Sequence, residues 1–251
     1  MEYAAMTFWL FVIVFCAMGV HQLWSSLIQP KVVNIILLPG TLVAQVGHII
    51  GLLVTGGTVN NTTLIKDNDS AEPEMGGDPG NKVPILGSII IAVLPMAGCA
   101  IAIYWTAHYF GTHFIVGIMQ DSPFDRMMLP TSLPNFFAML RGELALVEHL
   151  IDVIRKTSPY HDWHTYLFMY LVVCLTVRMA PMTGNLRGSL GAILLFGIIS
   201  FLIGQLMKPQ TSLFESAWPL VTFSVATLLL LLIFSLLVTG AVKLIKTILD
   251  Y

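Results

Sequence analysis

Long stretches without one charged side chain dominate this sequence: residues 3–30, 32–65, 83–120, 188–207 and 216–242 contain no Asp, Glu, Lys or Arg. Each is long enough for the roughly 20 residues with which a helix crosses a bilayer. A sixth uncharged run, 163–177, is shorter but continues past Arg178 with Met179 and Ala180. Lipid offers no partner to backbone N–H and C=O groups, so spanning segments satisfy them internally, as helices or closed barrels. The alternating apolar/polar pattern of a membrane barrel is absent. The reading is therefore an all-α polytopic integral membrane protein forming one membrane domain over 1–251. About six transmembrane helices are expected near 3–20, 32–55, 83–107, 163–180, 188–207 and 217–242.

Composition agrees. Only 10% of the 251 residues are charged and 56% are hydrophobic, against about 25% charged in a soluble globular chain. A net charge of −2 and the lack of a basic patch exclude a nucleic-acid partner; the lipid bilayer is the first partner implied. Cys16, Cys99 and Cys174 stand singly in three different spans, which argues against disulfides and thiolate zinc sites alike. The first span follows Glu2 and no basic residue, so it is expected to stay as an anchor. With six spans the Lys and Arg residues divide six and six between the two sides, and the positive-inside rule assigns no orientation.

Between the spans, two segments are polar. Residues 58–82 open with a β-branched run suited to a short strand at 58–65. They continue as an acidic, solvent-exposed loop with Asp67, Asp69, Glu72, Glu74 and Asp78 among Gly and Pro. The second polar segment, 121–162, is broken early by Pro123, Pro130 and Pro134. An amphipathic helix then follows over 135–157. Phe136, Phe137, Leu140, Leu144, Val147, Ile151 and Ile154 recur at helical spacing, with Arg141, Glu148, Asp152 and Arg155 opposite. Such a helix lies on a membrane surface or against a partner. Trp24 stands where an interfacial aromatic belongs. Gly98, Ala100 and Ala102 would let another helix come close to the third span.

The functional question centres on 32–57, VVNIILLPGTLVAQVGHIIGLLVTGG, where a Pro39-Gly40 break precedes an apolar run carrying Gln45 and His48 and a Gly56-Gly57 stop. Polar side chains at membrane depth are costly and call for a reason. Arg178, Asn185 and Arg187 interrupt the fourth span's end in the same way. Gln45, His48, Arg178, Asn185 and Arg187 are thus the candidate polar groups at membrane depth.

The run Pro39-Gly40-Thr41-Leu42, Ala44-Gln45-Val46-Gly47-His48 and Thr55-Gly56-Gly57 resembles the membrane-embedded zinc metalloproteases of the site-2 protease family. These carry Pro-Gly, then His-Glu-x-x-His, then a Gly-Gly turn into a strand. The resemblance covers about 32–110 and 165–207 and extends to Asn185-Leu186-Arg187-Gly188, where the family places a ligand aspartate. In that chemistry two histidines at i and i+4 hold zinc and the intervening Glu is the general base. Three protein ligands and an open position are required. Here Ala44 stands at the first ligand, Gln45 at the base and Asn185 at the third ligand; His48 alone survives. An amide has no proton to exchange near neutral pH, and Gln for Glu or Asn for Asp keeps shape while removing a charge that lipid disfavours.

The resemblance therefore implies a degenerate member: a catalytically inactive pseudo-protease with no catalytic residues and no cofactor, acting as a binding or scaffold subunit. Its partners would be other membrane proteins in a larger complex, in the bacterial cytoplasmic (inner) membrane. One alternative is an active zinc-dependent intramembrane protease with non-standard ligands, drawn from His21, His108, His113, His161 or His164 with Glu143 or Glu148 as base. A variant of it is an engineered inactive form, since His-to-Ala and Glu-to-Gln are also the changes that would disable such an enzyme. A transporter or channel subunit using Gln45, His48, Arg178 and Asn185 is a further alternative, against which stands the absence of an internal repeat.

Overall fold

The computed structural model describes residues 2–65, 73–78, 84–112, 130, 132–157, 163–179, 190–191, 193–195, 197–198, 201–202 and 211–249. Its elements run in the order α1 (Glu2–Leu27), α2 (Pro30–Ile36), α3 (Leu38–Thr55), β1 (Thr58–Thr63), β2 (Glu74–Asp78), α4 (Pro84–Phe110), α5 (Leu133–Thr157), α6 (Trp163–Val177) and α7 (Thr211–Leu249). Among the described residues, four helices are long and apolar enough to cross a membrane: Tyr3–Leu27, Leu38–Thr55, Ile89–Phe110 and Trp218–Ile248. Their outward faces agree, with Leu53, Val54, Phe234 and Leu237 all more than 60% exposed. Apolar surface on that scale marks a face made for lipid or a partner. The chain is an all-α membrane protein, with one small hairpin among the described residues.

Those four helices match the first, second, third and last expected spans. The expected fourth, α6, is apolar but only 15 residues long. Most of the expected fifth, 188–207, lies outside the described residues. Its described part is helical, with Ile193 buried and Gly197 set against Thr7 of α1. The second span is also divided. The break falls at Leu37, and Pro39 sits in the first turn of α3, where its missing N–H would have had no intrahelical partner. Tyr170 Oη and Cys174 Sγ donate to the Ile36 carbonyl freed at this break, at 2.8 and 3.3 Å.

Helices α3 and α4 form the tightest pair. Gly47 and Gly51 on α3 make the close approach possible. A Cβ at Gly47 would stand 2.8 Å from the Leu94 carbonyl oxygen, and one at Gly51 3.0 Å from Ile91 Cα. On the α4 side Gly98 faces Val43, as the small residues of the third span led us to expect. Lipid is as apolar as the helix surfaces, so such pairs are held by close packing rather than by water exclusion. Helix α6 packs on both α3 and α4; α1 packs along α7, and α5 also docks on α7. The hydroxyls of Thr222, Ser224, Thr227, Ser235 and Thr239 each donate to the carbonyl one turn back, which lets α7 carry them in an apolar setting.

Two expectations need correction. The stretch expected to be loop contains a strand: β2, Glu74–Asp78, pairs antiparallel with β1 from Thr58↔Asp78 to Thr63↔Glu74. Two glycines give it little strand propensity of its own, and pairing with a β-branched neighbour supplies the order. The Trp24 indole N–H donates to Ser235 Oγ at 2.7 Å and ties α1 to α7. The stripe assigned to the amphipathic helix is rotated. The buried residues of α5 are Met139, Glu143, Leu146, Val147, Leu150 and Val153, while Phe137, Leu144 and Ile151 face outward. The apolar arc is wide enough to offer two faces, and α7 covers the one that includes Glu143.

Candidate functional site

Helix α3 ends at Gly56, whose φ of 76° is the left-handed conformation a C-terminal cap requires. The Gly57 amide closes the cap on the Leu52 carbonyl at 2.8 Å, and the chain turns directly into β1. This short connection folds the hairpin back along α3, where Gln45 Nε2 donates to the Thr63 carbonyl at 2.9 Å. Only the amide NH2 can face a carbonyl in this way; an ionised carboxylate accepts and does not donate. At 3% exposure Gln45 is buried, and its donor is committed to holding the hairpin.

One turn either side, the face holds nothing that coordinates a metal except His48. Ala44 is 2% exposed within the apolar core. His48 is half-buried, with the Ile91 backbone of α4 within reach. Among the described residues no three His, Cys, Asp or Glu side chains come together as a metal site. Asn185 and Arg187 lie outside the described residues. So do His113 and His161. The remaining histidines of the alternative reading are apart from α3: His164 stacks against Phe110 and Trp163, and exposed His108 meets the edge of Tyr109. Glu148 is exposed, and Glu143 is buried on α5 among residues that face α7.

Gly40, one turn before Ala44, is crossed by the end of α6 so closely that an added Cβ would run into the Cys174 carbonyl and stand 3.0 Å from Arg178 Cγ. This crossing carries Arg178 into the interior, where it is 7% exposed. Its Nη2 donates to Asn34 Oδ1 at 2.6 Å, and His21 Nε2 lies 3.3 Å from the same oxygen. Arginine only donates, so Oδ1 is the acceptor, and the His21 contact then needs the proton on Nε2. Three elements thus meet in one buried polar cluster: α1 through His21, α2 through Asn34 and the end of α6 through Arg178. Sequence reasoning found Arg178 but not Asn34, and weighed His21 only as a zinc ligand. The signal was present, since Asn34 is the single polar residue in the run 32–38.

No family model, no curated protein and no solved structure matches this chain.

The Gln45 tether makes a checkable point. Gln45→Leu is expected to weaken hairpin docking by about 1 kcal/mol, the net worth of one such hydrogen bond, and so to speed amide exchange in β1 roughly five-fold. Gln45→Glu should do the same only at a pH high enough to ionise the buried carboxyl, because the protonated acid can still donate to Thr63 and the ionised form cannot. Unchanged exchange in β1 for the Leu variant would show that the hairpin is held by something else.

Proposed function

We propose that this protein is a pseudo-protease: a site-2-protease-like membrane frame without catalytic zinc, serving as a binding or scaffold subunit of a membrane complex. The observation that carries the reading is the bond from Gln45 Nε2 to the Thr63 carbonyl. At the position where the resemblance calls for a general base, the side chain is a donor in a structural bond that a carboxylate would not make. Ala44, closed into the core, adds to this: a histidine there would overfill a packed site. We place the chain in the bacterial cytoplasmic membrane with six crossings. The apolar α6 and the helical residues within 190–202 would supply the two beyond the four membrane-length helices. The partners are other membrane proteins, meeting the outward strip of Phe137, Leu144 and Ile151 on α5.

Metal analysis of the detergent-purified protein beside a His48→Ala control tests this directly. The expected result is zinc far below one equivalent in both. Near-stoichiometric zinc that disappears in the control would overturn the pseudo-protease and return the chain to the active metalloproteases.

A further inference from the structure

Glu143 is the one acidic side chain on the buried face of α5, 1% exposed, between Met139 and Val147 along the strip that docks on α7. Neither of its carboxyl oxygens has a hydrogen-bond partner. The facing part of α7, from Trp218 to Gly240, contains no titratable or charged residue. Helix α1 touches α5 where Phe8 meets Phe136; the titratable groups of α1 are Glu2, Tyr3, Cys16 and His21, the last held at Asn34. On α6 the titratable groups are His164, Tyr166, Tyr170 and Cys174; His164 is stacked with Phe110, and Tyr170 and Cys174 are committed to Ile36. On α5 itself Arg141, Glu148, Asp152, Arg155 and Lys156 are exposed on other faces, and His149 is half-buried. No cation among the described residues meets the carboxyl, and an ionised carboxylate buried without a partner is among the most costly arrangements a protein can hold.

We propose that Glu143 is a proton-binding site whose occupancy holds α5 docked on α7, so that loss of the proton releases the helix. Release has a structural consequence. Leu150 and Ile154 of α5 form one wall of a partly open apolar pocket of about 110 Å³, lined elsewhere by Phe168 and Val172 of α6 and by Phe223 and Leu230 of α7. Among the described residues the only polar side chain of the lining, Thr227, donates its hydroxyl to the Phe223 carbonyl. Undocking α5 takes away this wall of the pocket and bares the helix's own buried strip. The proton thus controls whether the pocket keeps its α5 wall, whether or not the α3 site binds zinc.

The direction follows from linkage. Burial pushes the Glu143 carboxyl from 4.5 up to about 8, opposed in part by the Ala226 backbone, which neither oxygen meets at hydrogen-bonding geometry. The docked helix therefore binds the proton more tightly than the free one. Docking is strongest below about 4.5, weakens as pH rises from there, and has lost all of this contribution above about 8.

Hydrogen exchange of the full chain in lipid nanodiscs at pH 6 and pH 9.5, corrected for intrinsic rates, reads this out. Peptides over 139–154 in the wild type are expected to lose protection on the order of 100-fold at the higher pH, the ratio set by one proton and these two titration points. Glu143→Gln, a neutral mimic of the protonated acid, is expected to stay protected at both. Wild-type protection that is equal at both pH values, or an equal loss in the Gln variant, would overturn the proposal. Should the variant fail to fold, infrared difference spectra of the wild type decide. A protonated-carboxyl C=O band that titrates away near pH 8 supports the site, and its absence at pH 7 overturns it.

Discussion

Gly40→Ala is expected to destabilise the fold by about 3 kcal/mol, the upper end of the range for overpacked sites. One methyl group suffices because its neighbour is backbone. The Cβ would run into the Cys174 carbonyl at a separation no real contact shows, and Arg178 Cγ would stand at 3.0 Å. A flexible side chain could turn aside, whereas the carbonyl moves only if the end of α6 moves. That shift would draw Arg178 away from Asn34 and strain the cluster that joins α1, α2 and α6. Gly240→Ala on α7 is the control. Nothing lies within 4 Å of its added Cβ, so the substitution is expected to be neutral or stabilising by up to about 1 kcal/mol through helix propensity. Thermal unfolding of both variants in one detergent measures the contrast. Equal midpoints would mean that α6 does not cross α3 at Gly40.

The second large effect belongs to the Arg178–Asn34 bond. Asn34→Leu removes the acceptor at 2.6 Å and leaves the buried guanidinium with one fewer bond. A hydrogen bond to a charged group is worth about 1.5–3 kcal/mol, and a loss near 3 kcal/mol is expected. Arg178→Met keeps most of the apolar volume against Gly40 and is expected to cost less, about 2 kcal/mol, chiefly because the buried Asn34 oxygen loses its strongest donor. In the double variant neither group is left in need of the other. Its loss should fall short of the sum by about 2 kcal/mol, within the range measured for residues in direct contact. Strict additivity would show that the contact contributes nothing. The cluster would then be held by α6 packing on Gly40.

The membrane class was legible in the sequence from the spacing of charges, because excluding ionised groups from lipid is a local requirement on every residue of a span. The division of labour on α3 was legible too. Gly56 reads as a cap, Gln45 and His48 as polar groups at depth, and that Ala44 offers no ligand atom is plain from chemistry alone. What Gln45 does was not legible, since its partner, Thr63, lies across a turn whose direction the left-handed Gly56 sets.

Tertiary structure alone decided the rest. Helical periodicity places Phe137, Leu144, Glu143 and Val147 around α5, but lipid, partner and neighbouring helix are all apolar. Hydropathy therefore does not say which arc meets α7. The arc chosen contains an acid, which a hydropathy argument would have turned outward. Asn34 and Arg178 are 144 residues apart, and Trp24 and Ser235 are 211 apart. Such pairs become partners only when glycines such as Gly40 and Gly47 let backbones cross at close range. A sequence shows which side chains need partners in a membrane; the crossing of helices determines where those partners are found.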